Sequence, residues 1–406
     1  MTAGPSPLAV LGGSVVDPAA GTARRADLLL ADGRVAQLAQ AGELDRAYGV
    51  AGLDATGLLV SPGLLDLQVN GAAGVDVTAD PELIWQVAAA LPRHGVTSFL
   101  PTVVTSGEQT RRRALEALRA GRPADVPAGA RPLGLHLEGP MLAPQRCGAH
   151  DRTLLRRPDH RLVAGWSAAA GVSMVTLAPE LPGALDVIRE LTARKVVVSL
   201  GHTAATLAQM DAAAAAGARA VTHLYNAMPG LGHREPGPVG AVLGGDALLA
   251  GVIVDGHHVH GHTVAATWRA IGPERFWAVS DTTAALDQPP GPGILGGRAV
   301  RIRDDGTVRL ADDEDTLAGS AAGLDDCIRL LARFTGAPPA LALAAATTVP
   351  ARLLGRPELG TLRVGAAADV ALFTPALKTV ATIAGGVVVH HRDGAGPPSV
   401  PRSVRQ

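Results

Sequence analysis

Short, mainly apolar runs recur through the middle of the chain. They fall at Leu64–Gln68, Val96–Leu100, Leu133–Leu137, Ser173–Leu177, Val196–Leu200, Ala220–Leu224, Ala250–Val254 and Trp277–Ser280. Several are separated by stretches with helical spacing: Pro81–His94, Glu108–Ala120, Ala184–Arg194, Thr203–Ala216 (stopped by Gly217) and His262–Ile271. Continuous apolar runs alternating with helices signify parallel strands buried on both faces. Eight of them predict a (β/α)8 TIM-type barrel, an α/β fold. Helices over Ser320–Phe334 and Ala340–Leu354 would complete its outer layer. An open, doubly wound sheet is the competing fold, but no G-x-G-x-x-G opens a helix here.

The two ends have another rhythm. Leu28–Leu30, Asp32-Gly33 and Val35–Leu38 read as a hairpin. Strand-like runs follow Leu359, at Thr361–Val364, Asp369–Phe373, Val380–Ile383 and Val387–His390. Neither end has enough strands for a sheet of its own. Residues 1–57 and 355–406 are therefore expected to form one small β domain, flanking a barrel over 58–354. Arg298–Leu310, turning at Asp304-Asp305-Gly306, reads as a hairpin inserted after the eighth strand.

Composition narrows the function. Basic and acidic residues number 36 and 37, so no basic face is available to hold nucleic acid. Aromatics at 2% leave few platforms for stacking bases. The two cysteines, Cys147 and Cys327, form no framework, which fits a reducing, cytoplasmic setting. No uncharged run reaches the roughly 18 residues of a membrane span, and Met1–Val10 lacks the basic start of a signal peptide.

In a barrel the reactive groups sit at the C-terminal ends of the strands. Strand one leads into Gln68 and Asn70, strand three into Glu138, strand five into His202, strand six into His223, strand seven into Asp255 to His258, and strand eight into Asp281. One carboxylate and two imidazoles, Glu138, His202 and His223, can hold a divalent ion with a position left open. Zn2+ suits this set best; Fe2+, Mn2+ and Co2+ are alternatives. Asp281 is placed to act as general base and then acid, though a helix cap or a metal ligand could occupy the same position. His136, two residues before Glu138, is either a support for that ligand or a core histidine. The only lysines are Lys195, at the start of strand five, and Lys378, beyond the barrel. Schiff-base chemistry, which needs a lysine at a strand end, is thereby excluded. The segment Leu224–Gly240 reads as a loop, and its Arg234, with His258, suits a phosphate group.

Together these pieces resemble the N-acetylglucosamine-6-phosphate deacetylase family of the amidohydrolase superfamily. The resemblance rests on Ser61-Pro62-Gly63 to Asn70-Gly71, Gly134 to Pro140, Val175 to Glu180, Gly201-His202-Thr203, Thr222 to Pro229, Arg234 to Gly237, Asp255 to His258 and Ser280-Asp281. It implies a barrel with a β domain from both termini, Glu138, His202 and His223 as metal ligands, and Asp281 as the acid/base. It also implies substrate contacts at Ala149, His150, Asn226, Ala227, Arg234, His258, Leu317, Ala318 and Gly319. In the family the phosphate is held partly across a dimer interface, so a homodimer acting on an amino sugar phosphate is expected. Many superfamily members carry His-x-His after strand one. Gln68 and Asn70 stand there instead, which predicts one tightly held ion, with both amides left to bind water or substrate. The rival functions are deacetylation of the galactosamine epimer, hydrolysis of another amide, and non-catalytic binding of a sugar phosphate.

Overall fold

The computed structural model describes residues 6–44 and 50–392. The outermost parts of the expected small domain, residues 1–5, 45–49 and 393–406, lie outside the described residues.

Eight parallel strands form a nearly closed barrel. In chain order they are Leu64–Val69, Val96–Val104, Leu135–Glu138, Val172–Leu177, Val197–Leu200, Ala220–Val221, Leu249–Ile253 and Phe276–Val279. Each pairs with the next in that order. The seam between the first and last is joined by a parallel bridge from Val69 to Thr282. At the same seam the Ser280 amide donates to the Asp66 carboxylate at 3.4 Å. Burial on both faces is visible in the first three strands, every residue of which is buried, as expected where helices cover a parallel sheet.

The helices form because their apolar positions recur on one face and local signals stop them. Glu108–Ala120 ends at Gly121 as its spacing predicts. Ala184–Ala193 buries Val187, Ile188 and Leu191. The helix expected from Thr203 starts at Leu207 instead. Thr206 forms a capping box with Gln209, and that cap fixes the start.

Other expectations also need correction, and Thr361–Val364 forms no strand. Ala340–Leu354 is not one helix but two, Pro339–Ala344 and Thr348–Leu353. Between them, the carbonyls of Ala345 and Ala346 accept from the amides of Ala278 and Leu65 on the barrel strands, so they cannot continue the helical ladder. The segment read as a loop to Gly240 contains the start of a helix, Gly237–Gly244. Its Pro238 sits in the first turn, where a missing N–H costs nothing.

A second sheet draws strands from both ends of the chain. It contains Leu8–Asp17, Thr22–Ala31, Arg34–Gln40, Ala51–Asp54, Leu59–Pro62, Val370–Phe373, Thr379–Ala384 and Val387–His391. Leu59–Pro62 pairs with Val370–Phe373, which joins the two ends. Asp32 and Gly33 turn the expected hairpin with φ of 52° and 70°, the left-handed pair that a two-residue turn requires. The insertion after strand eight is larger than one hairpin: four antiparallel strands over Gly291–Ser320, ending in Leu317–Ser320. That last strand runs back to the barrel, where the Ser320 amide donates to the Asp281 carbonyl.

Candidate active site

The strand ends converge on one buried cluster. Glu138 is the last residue of strand three; His202 and His223 each follow their strand by two residues. The Glu138 Oε1 lies 3.0 Å from His223 Nε2 and 3.3 Å from His202 Nε2. The two Nε2 atoms are 3.1 Å apart. These three form the only cluster of metal-competent side chains of its kind among the described residues.

The donor chemistry fits a divalent ion. His202 Nδ1 lies 2.8 Å from the Arg146 carbonyl. A carbonyl only accepts, so Nδ1 carries the proton and Nε2 offers its lone pair to the cluster. Three lone-pair donors meeting at one buried point repel each other unless a cation or proton lies between them. Burial alone would raise the Glu138 pKa. With a proton standing between the carboxylate and the imidazoles in place of a cation, His202 and His223 instead hold it well below the usual carboxylate range.

Backbone strain concentrates here. His202, His223, Ala227 and Asp281 all have positive φ, at 49°, 30°, 52° and 51°, and all four line the same cavity. Such conformations cost non-glycine residues energy and persist where the surroundings enforce them. Hydrogen bonds across the loops provide that enforcement. Ala143 donates to the His202 carbonyl, Thr203 to the Ala227 carbonyl, and Ala204 to Glu180 Oε1 at 2.6 Å. Glu180 thus anchors the turn behind His202, a role its place in an Ala-Pro-Glu run did not reveal.

Gln68 and Asn70 each find a protein partner that their spacing did not reveal, one of the two key carboxylates. Gln68 Nε2 donates to Glu138 Oε1 at 3.1 Å. Asn70 Nδ2 donates to Asp281 Oδ1 at 2.8 Å. Burial, and then the charge on Glu138, push the Asp281 pKa up to about 7, the range in which a carboxyl can both take and give a proton near neutrality.

His136 is a core histidine. It is fully buried, with Nε2 2.8 Å from Thr176 Oγ1 and Nδ1 3.2 Å from the Leu67 carbonyl. Burial drops its pKa to about 4, so it is neutral. Thr176 continues the chain of hydrogen bonds to Thr222 and from there to Ser199.

Above the cluster opens a cavity of about 280 Å³. It is lined by Ala149, His150, Asn226, Ala227, His258, Leu317 and Gly319 among others, and by Asp281. Arg234 and Ala318 are not in that lining. Arg234 is exposed on its loop, and Ala318 is buried in the apolar cluster of the inserted sheet. His150 is held by Thr105, Oγ1 to Nδ1, at 2.8 Å. Burial lowers its pKa to about 3, so its neutral ring can offer hydrogen bonds but no charge. His258 Nδ1 lies 2.6 Å from Asp255 Oδ2. The cavity also takes in Asp315 and Thr316 from the inserted sheet. Neither stood out in the sequence, because strand-end logic does not reach an insertion and the resemblance named only the neighbouring Leu317, Ala318 and Gly319 there.

A parallel barrel with this carboxylate–imidazole cluster, and a second carboxylate poised near neutrality beside it, defines the class of metal-assisted hydrolases. The Amidohydrolase family matches residues 59–389, and the chain belongs to that family. Among curated relatives, the N-acetylglucosamine-6-phosphate deacetylase of Mus musculus is 35% identical over 391 residues, covering 93% of this chain and 94% of the relative. The N-acetylgalactosamine-6-phosphate deacetylase of Escherichia coli O157:H7 is 40% identical over 319 residues, covering 77% and 82%. A solved structure of N-acetyl-D-glucosamine-6-phosphate deacetylase from Mycobacterium smegmatis, a mutant in complex with N-acetyl-D-glucosamine-6-phosphate, superposes with a TM-score of 0.83. It shares 33% identity, over 95% of this chain and all of that one. Among the described residues no helix is long and apolar enough to cross a membrane.

Proposed function

We propose that this protein hydrolyses the N-acetyl group of N-acetylglucosamine 6-phosphate, giving glucosamine 6-phosphate and acetate. The observation that carries the reading is the juxtaposition of Asp281 with the Glu138–His202–His223 cluster at the floor of a sugar-sized cavity. Similarity to the deacetylases supplies the substrate.

Glu138, His202 and His223 would hold one divalent ion, Zn2+ by preference. When bound, that ion lowers the pKa of water and polarises the acetamide oxygen. Asp281 takes the proton of the attacking water as the new C–O bond forms at the acetyl carbon. It then delivers that proton to the sugar nitrogen as the C–N bond breaks, so acetate leaves and the free amine remains. Asn70, hydrogen-bonded to Oδ1 of Asp281, fixes the direction in which the carboxylate faces. Gln68 does the same for Glu138. His150, Asn226 and the Leu317–Gly319 strand orient the sugar, with Ala149 and Ala227 shaping the wall. His258 and Arg234 take the phosphate. Arg234 lies outside the lining of its own chain's cavity, so this role requires its delivery from the second copy in a homodimer. The setting is cytoplasmic.

The Escherichia coli O157:H7 relative favours a second reading, the galactosamine epimer. The test is acetate release from a panel of N-acetyl sugars, with and without the 6-phosphate, by metal-loaded enzyme. The proposal expects the highest kcat/KM on N-acetylglucosamine 6-phosphate. A higher value on the galactosamine epimer would transfer the assignment to it, and equal rates on unphosphorylated sugars would overturn both.

A further inference from the structure

Strand two ends in Val104, and the chain passes through Thr105, Ser106 and Gly107 into the Glu108–Ala120 helix. The two neighbouring hydroxyls serve different spaces. Thr105 Oγ1 contacts His150 in the sugar cavity. Ser106 lines a separate cavity of about 480 Å³, bordered by the first turn of that helix and by Arg111, Arg156 and Arg157.

Three features of this second cavity lack a partner. Ser106 is 8% exposed, and its buried Oγ makes no hydrogen bond. The helix cap is Gly107, which lines the cavity and offers no side chain to the first-turn amides, so they have no side-chain capping acceptor. Arg111 is also 8% exposed. Among the described residues it forms no ion pair; its Nη1 donates to the Ser106 carbonyl, and its guanidinium lies 5.6 Å from the Trp166 ring. Arg156 and Arg157 form no ion pair among the described residues either. Arg156 donates Nη1 to the carbonyls of Thr153 and Leu155, leaving its other donors free.

The acidic side chains do not cancel this. Two border the cavity, Glu108 and Asp159, against three arginines. Glu108 is exposed, and Asp159 Oδ1 is used by the Arg161 amide. The positive end of a 13-residue helix adds to the excess. Burying a guanidinium without a counter-charge is costly, and a bound anion would offset that cost.

We propose that this cavity binds a phosphate-type oxyanion, free or as a monoester, held by the first-turn amides, the Ser106 hydroxyl, Arg111 and Arg156. Helix N-termini and arginine forks both suit such a group. Because Thr105 and Ser106 are adjacent, occupancy is one residue away from the His150 contact in the sugar cavity. The site does not depend on the proposed deacetylation.

Removing Arg111 risks the fold, since its side chain is buried against Trp166. Gly107→Asp is the cleaner variant. Gly107 has φ −67° and ψ 162°, a conformation that suits an aspartate cap, and an added Cβ would meet nothing within 4 Å. The new carboxylate would take the amides that the anion needs. Inorganic phosphate and glucose 6-phosphate are titrated calorimetrically into metal-loaded wild type, Gly107→Asp and Arg156→Glu. Crystals soaked in selenate locate the site by anomalous scattering. The proposal expects a selenate peak beside Arg111 and one class of phosphate binding weakened by about tenfold or more in both variants. Tighter binding of the monoester would identify a phosphorylated metabolite as the ligand; equal or weaker binding would identify free phosphate. No peak in the cavity, or isotherms unchanged in both variants, would overturn it.

Discussion

His94 sits where three parts of the molecule meet, and its replacement should loosen them measurably. Its Nδ1 lies 3.1 Å from Asp325 at the start of the Leu324–Thr335 helix, and its Nε2 3.2 Å from Asp287 in the segment after strand eight. Asp325 Oδ2 accepts from Thr379 of the second sheet at 2.8 Å. Burial alone would lower the His94 pKa, but the two carboxylates overcome it and push the value up to about 10. Relative to an ordinary 6.5, linkage sets a ceiling of roughly 5 kcal/mol on what this imidazolium contributes. Asp287 is partly solvated, its side chain 30% exposed, so its share is screened and about 3 kcal/mol is the working figure. The sign follows from a raised folded-state pKa. The contribution is complete below the unfolded value of about 6.5, declines above it, and is lost as pH rises through about 10. Urea unfolding of wild type and His94→Gln should therefore differ by roughly 3 kcal/mol at about pH 6 and by less than about 1 kcal/mol at about pH 10.5. A gap that stays constant over that range would show that His94 acts by shape rather than charge.

Three further outcomes test the active site. Alanine at Glu138, His202 or His223 should remove most bound metal and activity together; full metal content in any one variant would strike that residue from the ligand set. Asp281→Asn should keep its metal and bind substrate, yet lose about 10²–10⁴-fold in kcat; a loss confined to KM would make Asp281 a binding residue. Arg234→Ala should depress kcat/KM for the 6-phosphate substrate and leave the unphosphorylated sugar nearly unaffected. Mixing Arg234→Ala with Asp281→Asn protomers should restore one working site per heterodimer, and no restoration would place Arg234 in its own chain's site.

What the sequence revealed follows barrel geometry. Buried parallel strands read as plain apolar runs, so Leu64–Val69 and Val172–Leu177 were visible within a residue or two. Strand order then sends every C-terminal end to one face, which is why Glu138, His202, His223 and Asp281 could be singled out before any coordinate. The misses share a different cause. Gly237–Gly244 is a helix held by its surroundings, with Val239, Ala241 and Val242 buried, and its Gly and Pro content hides it. The break at Ala345 and Ala346 exists because the amides of Leu65 and Ala278 on the barrel strands take their carbonyls, a demand no alanine run announces. Asn70 lines the cavity and Gln68 does not, and the partners of both come from residues 70 and 211 positions away. Such through-space choices depend on packing, not on spacing.

The same two amides bear on the metal count. Neutral amide oxygens bind transition metals weakly, and the Gln68 and Asn70 nitrogens here donate to the two carboxylates. The most direct measurement is therefore activity against metal equivalents added to dialysed, metal-free enzyme, with bound metal quantified at each point. The account predicts acetate release that rises to a plateau at one ion per chain. Activity that keeps rising in proportion to a second equivalent would contradict it, and would recast Glu138 as a bridge between two ions.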